Sequence, residues 1–344
     1  MQLSPMQGRI TAEVKRFLVE QTDALMQRGV ARSRIALEIA SHMVGEADQK
    51  YRQAKVLLRE QGAGDWPVVL FGSSTIEGID EVVQGKATLA IVNPAAMLSL
   101  AYRGSGRFKT PQPLRTIAVI PTGDQYVFGV RSDSGLTCLE DLLPRRYPLK
   151  VALRGQPDHC LHVMLDHILA ACGFSLADVE SWGGSFRREG IIPYPDGPKM
   201  AAFKAGTYNA IFDEGAHSWV GEAMEAGMAP LPLREATVQK LEAMGYRRAY
   251  LRKRDYPRLA EDVLTIDFSG WPIFVRADTS DQLVEQICAG LVARKHNIPW
   301  EGEGPLPVER MCQDAADTPI DVPLHPAADR KSTRLNSSHV KRSR

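Results

Sequence analysis

The chain has 344 residues, 44% of them hydrophobic, enough apolar material for two medium lobes or one large α/β domain. Its formal charge of +1 comes from the last fourteen residues, Lys331 to Arg344, which hold five basic and no acidic side chains; without them it becomes −4, which argues against a polyanion-binding surface. No apolar run is long enough for a membrane-spanning helix, and five cysteines with no Cys-x-x-Cys pair argue against a disulfide framework and for a reducing compartment.

In chain order, Ile10, Val14, Phe17, Leu18 and Leu25 recur at helical spacing with charges between them, so residues 1–30 are expected to form one amphipathic helix. This segment lacks the apolar core of a secretory signal. As written, the protein is expected to be cytoplasmic, and periplasmic if an upstream signal was lost from the gene model. Arg34–Ala40 is expected as a strand with Ser41 and His42 in its exit loop, and Glu46–Gln61 as a helix closed by Gly62-Ala-Gly64. The apolar run Val68–Phe71 stops at Gly72-Ser73-Ser74-Thr75, a helix-like stretch follows, and Leu89–Val92 stops at Asn93-Pro94. This alternation argues for a parallel α/β sheet with right-handed crossovers.

Thr116–Pro121 and Gln125–Arg131 read as strands, as does Leu149–Leu153, which leads through Arg154-Gly-Gln-Pro-Asp158 into a helix over His159–Cys172. Val179–Trp182 reads as a strand broken by Gly183-Gly184, Lys199–Ala205 as helix, and Ala210–Phe212 as a strand ending in Asp213-Glu214. Val263–Phe268 and Pro272–Val275 are further strands, Asp281–Lys295 is a helix, and the proline-rich stretch Pro305–Pro326 is expected as an extended arm over the surface. From about Asp329 the sequence reads like a translated sequencing adapter joined to the gene. The expected division is an N-terminal helix (1–30), lobe one (31–131 with 256–328), lobe two (132–255) and a non-native tail (329–344).

In open α/β sheets, ligands sit beyond the carboxyl ends of the strands. Those ends carry Ser41 and His42, Ser73, Ser74 and Thr75, Asn93, Arg154 and Gln156, Trp182, and Asp213 and Glu214, and most can hydrogen-bond. The loops at Ser73–Thr75 and Arg154–Asp158 also precede helices, whose first N–H groups suit a carboxylate. Arg154 can hold a carboxylate in a bidentate grip, and His159 can donate from the helix start. Asp213 and Glu214 can receive an amine. Against this stands plain capping, in which Ser73, Ser74 or Thr75 serves the following helix for about 1 kcal/mol.

The order of elements resembles the type II periplasmic-binding-protein fold. In sequence the chain resembles the TAXI-type solute receptors of TRAP transporters through Gly72-Ser73-Ser74, Gln84–Asn93, Ala101-Tyr102-Arg103-Gly104, Val130–Leu136, Ala205–Phe212, and Tyr256-Pro257 with Asp262–Thr265. The resemblance covers residues 34–295. It implies an α/β fold of two lobes, each a mostly parallel sheet flanked by helices, with a cleft that closes on a small anionic organic acid or amino acid. It implies no catalysis and no cofactor, and a membrane transporter subunit as partner. The chain departs from the family at Ser41-His42-Met43-Val44, where a Gly-rich turn is usual, and at Arg154–His159, where a Gly-Ser-Gly-Thr loop is usual.

Other chemistries are weaker. His159, His162 and Asp166 share a helix face and could ligate a metal, but no second ligand cluster accompanies them. Gly72-Ser73-Ser74-Thr75-Ile76 lacks the last glycine of a nucleophile elbow. Gly104-Ser-Gly106 lacks the pattern of a dinucleotide site, and the aromatic residues have no basic stripe beside them, so no nucleic acid is expected. An enzyme of the same fold acting on a small carboxylic acid, with Asp213 and Glu214 as an acid/base pair, is the alternative to a receptor. The N-terminal helix offers a surface for homodimerisation.

Overall fold

A computed structural model of the chain describes residues 32–44, 53–59, 67–73, 75–301 and 304–330. They belong to two units, residues 1–54 and 55–344. The expected N-terminal helix over 1–30, Ser74 and the tail from 331 lie outside the described residues. In the first unit, residues 32–44 form helix α1, exposed throughout. The expected strand Arg34–Ala40 is therefore a helix. Its alternation of Ile35, Leu37 and Ile39 is too short to outweigh strong helix formers such as Ala36, Leu37, Glu38 and Ala40.

The second unit contains two sheets flanked by helices. Sheet one has the order β1 (Ala54–Leu58), β2 (Val68–Gly72), β3 (Leu89–Ile91), β12 (Trp271–Arg276), β4 (Leu114–Ile120). Strand β2 pairs parallel with β3, whereas β12 runs antiparallel to both β3 and β4. Helices α2 (Glu77–Val83) and α3 (Ala95–Arg103) follow β2 and β3. The strand β1 falls inside the stretch expected as the helix Glu46–Gln61, because Ala54-Lys-Val-Leu-Leu58 finds an edge to pair with in β2.

Sheet two has the order β10 (Arg248–Leu251), β11 (Val263–Asp267), β5 (Gln125–Arg131), β8 (Ala210–Asp213), β6 (Lys150–Leu153), β7 (Ser185–Arg188), and β9 (Met228–Pro230) also pairs with β5. Its parallel pairings are β6 with β7 and β6 with β8; the pairings of β5 with β8, β9 and β11 are antiparallel. Central β5 is buried without a break from Tyr126 to Val130, which is why it reads as a continuous apolar run. Around this sheet lie α4 (Leu142–Arg145), α5 (Cys160–Cys172), α6 (Leu176–Ser181), α7 (Pro198–Lys204), α8 (Val220–Glu225) and α9 (Glu235–Met244). In α5 the stripe Leu161, Leu165, Ile168, Leu169 and Cys172 is buried, and Gly173 ends the helix in the left-handed region.

Two further expectations are corrected. Val179–Ser181 belongs to α6, with Trp182 as its C-cap, not to a strand: Ser175 and Asp178 form a reciprocal capping box that starts a helix there. The arm Pro305–Pro326 is not laid over the surface. Helix α11 (Val308–Met311) buries Val308 and Met311 with Ile117, Val275 and α10 (Asp281–Arg294), and Leu324 bridges to Thr116 in β4. Proline spacing reports extended backbone but is silent about what the backbone packs on.

Candidate functional site

The chain passes between the sheets through two connectors, Pro121–Asp124 between β4 and β5, and Phe268–Gly270 between β11 and β12. They are hydrogen-bonded to each other. Phe268 N donates to Asp124 O (3.0 Å), Asp124 N donates to Ser269 Oγ (2.9 Å), and Ser269 Oγ donates to Asp124 O (3.0 Å). Gly270 N donates to Thr122 Oγ1 (2.7 Å) at φ +78°, and a Cβ there would lie 2.6 Å from Pro319 Cδ, so only glycine suits the position.

The sheets meet a third time at their strand ends. Thr75, after β2, forms an antiparallel bridge with His159, the N-cap of α5. The His159 ring is buried and stacks on Phe268 of the second connector at 6.3 Å and 5°. Its Nδ1 accepts from Leu161 N (3.2 Å), which leaves the ring proton of the neutral form on Nε2. Ser73 and Thr75 hydroxyls bond one another (2.9 Å), and Thr75 Oγ1 accepts from Glu77 N (3.3 Å), so turn chemistry accounts for both. Asn93 follows β3, and Ala95 N donates to Ser269 O (3.2 Å), which ties that loop to the same connector. Asn93 Oδ1 and the Tyr126 hydroxyl are buried without a hydrogen-bond partner among the described residues.

On sheet two the charged strand ends hold one another. Arg154, after β6, donates to Asp213 Oδ1 through Nε (3.2 Å) and Nη2 (2.7 Å), and also to Glu214 Oε1. Lys199 of α7 donates to Asp213 Oδ2 (2.7 Å). Asp124 of the first connector accepts from Gly215 N (2.7 Å) and Ala216 N (3.0 Å), the turn just after Glu214. All five side chains are buried. Burial pulls the Arg154 guanidinium down, but the Asp213 and Glu214 carboxylates outweigh it and hold the group above its ordinary value. Burial holds the Lys199 ammonium below its ordinary value despite Asp213. Burial, then the Asp213 charge, raises the Tyr126 phenol well above its usual range.

The expected ligand residues thus divide. Thr75, Asn93, His159, Arg154, Asp213 and Glu214 stand around the joint, linked through Phe268 and Asp124. Arg154 is not an open grip for a ligand carboxylate, because its own chain supplies the counter-ions. Gln156 is half-buried, and its carbonyl accepts from the ring Nε2 of His162 (3.0 Å). Trp182 is misplaced by the strand expectation: β7 begins only at Ser185, level with Lys150 at the start of β6, so Trp182 lies at the far end of the sheet against Phe174. Ser41 and His42 sit on the exposed helix α1 of the first unit. In the expected metal trio, His159 and His162 are buried while Asp166 is exposed, and no metal-holding group of three or more His, Cys, Asp or Glu occurs among the described residues.

Sequence reading missed Asp124, Lys199 and Tyr126. Asp124 closes a Pro-Thr-Gly-Asp turn, a signal that was present; Lys199 and Tyr126 carried none. A cavity of about 630 Å³ flanks the connectors, lined by Gln125 and Asp267 from the joint, Arg247, Arg252 and Tyr256 around β10, and Asp317. Its charges are internally matched: Arg247 pairs with Asp314 and Asp321, and Arg252 with Asp262. Burial holds the Asp267 carboxyl up at about 7.

No family model matches the chain, and no curated protein matches it in sequence. Among solved structures, it is similar to one described as a periplasmic transporter (12% identity, covering 76% of this chain and 78% of that one, TM-score 0.33). It is similar to one described as the periplasmic sulfonate-binding protein of a sulfonate ABC transporter from Methylobacillus flagellatus (13%, 77% and 70%, TM-score 0.33). A third is a TctC solute binding protein from Polaromonas (16%, 63% and 68%, TM-score 0.31).

Proposed function

We propose that this chain is a solute-binding protein that closes the joint between its two sheets on a small organic acid or amino acid. The observation that carries the reading is the arrangement of contacts: two mutually hydrogen-bonded connectors form a pivot, and the strand ends meet again at Thr75 and His159. Beside that closure, the Asn93 amide oxygen and the Tyr126 hydroxyl are buried without partners, as groups awaiting a ligand would be. The anionic end of the solute is met by a neutral donor, the Tyr126 hydroxyl. The resemblance to TAXI-type receptors supports a membrane transporter subunit as the partner that takes the solute onward.

The test is a thermal-shift screen of the purified chain against small carboxylic acids and amino acids, with mass spectrometry of any co-purified solute. A bound solute raises the melting temperature and leaves the protein unchanged, and Asn93→Leu lowers that response. A chain that carries no solute and responds to none of the panel, or that converts one to product, defeats the reading.

A further inference from the structure

Strand β5 begins where β11 ends, and the register between them sorts their side chains onto two faces. Tyr126 lies opposite Ile266, and Gln125 opposite Asp267. Neighbouring residues of a strand point to opposite faces, so Tyr126 and Ile266 share one face and Gln125 and Asp267 the other. Tyr126 and Ile266 are fully buried, and the Tyr126 ring lies 6.5 Å from Phe268, on which His159 stacks. Gln125 and Asp267 instead line the cavity of about 630 Å³, together with Tyr256 and Arg247. Arg247 extends their row, since Asp267 N donates to its carbonyl (2.9 Å). The two strands themselves therefore stand between this cavity and Tyr126.

The volume is that of a small-molecule site, about 300–1,000 Å³. The arginines on its wall are more than answered. Arg247 pairs with Asp314 and Asp321, Arg248 with Glu235 and Glu242, Arg252 with Asp262, and Arg254 with Asp255, so six carboxylates face four guanidinium groups. Asp317 is held by Arg310. Asp267 is the exception to this matching: it is 9% exposed, and among the described residues no cation pairs with it. The Gln125 side chain and the Tyr256 hydroxyl on the same wall make no hydrogen bond among the described residues.

This wall selects the sign and the chemistry of an occupant. An anion would have to pull the arginines away from carboxylates of their own chain. A metal ion would need more ligands than one carboxylate, and no metal-holding group of three or more His, Cys, Asp or Glu occurs among the described residues. A quaternary ammonium would need an aromatic cage, and Tyr250 already has Arg252 over its ring at 4.4 Å. What remains is an organic cation that brings N–H donors.

We propose that the cavity binds a small primary amine, whose ammonium group donates to the Asp267 carboxylate, the Gln125 amide oxygen and the Tyr256 hydroxyl. Three acceptors match the three donors of an ammonium group. The ligand supplies the counter-ion that the chain does not. The proposal does not rest on the joint between the sheets taking a solute.

Burial holds the Asp267 carboxyl up at about 7, with Ser269 and Arg247 favouring its anion and Asp321 opposing it. At pH 8 Asp267 is therefore ionised, while an alkylamine, with a pKa of about 10, is still protonated. The test is calorimetric titration of the full chain at that pH with butylamine, phenethylamine and 1,4-diaminobutane, none of which carries a carboxylate, and with tetramethylammonium. At least one of the three amines should bind saturably, and tetramethylammonium should bind at least about tenfold more weakly, because it has no N–H to donate. Asp267→Asn should weaken the amine at least about tenfold, and Gln125→Leu about threefold. Should Asp267→Asn fail to fold, Tyr256→Phe takes its place, with a loss of about threefold or more. Failure of all three amines to bind, binding of tetramethylammonium as tight as that of the amines, or amine binding unchanged in the variants that fold overturns the proposal.

Discussion

The strand ends that meet at the joint are built from opposite chemistry. On sheet one they are neutral: the Ser73 and Thr75 hydroxyls serve each other and the start of α2, and the Asn93 amide oxygen has no partner. On sheet two they are charged, and Arg154, Asp213 and Glu214 hold one another together with Lys199. The contrast has a physical origin. A buried charge must be neutralised by its own chain, because leaving it bare costs several kcal/mol. A buried neutral group left unpaired costs only about 1–3 kcal/mol, which a fold can tolerate until a ligand arrives. Charged strand ends therefore hold one another on sheet two's side of the joint, and neutral ones are left to recognise.

Breaking the charged side should have the largest effect. Asp213→Leu removes the shared counter-ion of Arg154 and Lys199 and should cost about 3–5 kcal/mol in chemical denaturation. A cost below about 1 kcal/mol would mean that water reaches these groups and that the contrast is false. Next comes Asp267, at the end of β11, held up at about 7 mainly by burial, against Ser269 and Arg247. Because this group is raised, its contribution is complete below about pH 4 and is lost as pH climbs to about 7, a change on the order of 4 kcal/mol. Asp267→Asn should flatten stability across that window, and a slope unchanged by the substitution would place the titration elsewhere.

A smaller effect is expected at Gly155, whose N–H donates to Gly190 O (2.9 Å). An added Cβ would lie 2.7 Å from Gly190 O and 2.8 Å from Gly190 N, and backbone cannot swing aside. Gly155→Ala should cost about 1–3 kcal/mol by the same denaturation measurement. The smallest change in stability belongs to the neutral side. Tyr126→Phe removes a hydroxyl that bonds nothing in the structure, so the solute-free chain should stay within about 0.5 kcal/mol of wild type. Its thermal response to solute should weaken. A large loss of stability without solute would show that the hydroxyl has a structural role.

Much of the second unit was legible before any coordinates. The strand Gln125–Arg131 and the helix beginning beside His159 were bounded to within a residue, because a continuous apolar run and a capped apolar stripe are local signals. The errors fall where local signals compete. Ile35, Leu37 and Ile39 alternate like a strand but lie in a helix, and Val179–Trp182 looks apolar enough for a strand but follows a capping box. At the joint, sequence named Arg154, Asp213 and Glu214 correctly as strand ends but not as one another's partners. Arg154 and Asp213 are 59 positions apart, and nothing along the chain records that distance being closed.

Sequence alone determined where most apolar runs stop and that those stops are polar, because glycine, proline and capping side chains act on their immediate neighbours. Tertiary structure alone decided which charges meet, that Asp124 and Lys199 join them, and that Asn93 and Tyr126 are left unpaired. Whether a charge has a counter-ion depends on which distant segments pack beside it, and in a dry interior that proximity sets both its energy and its proton.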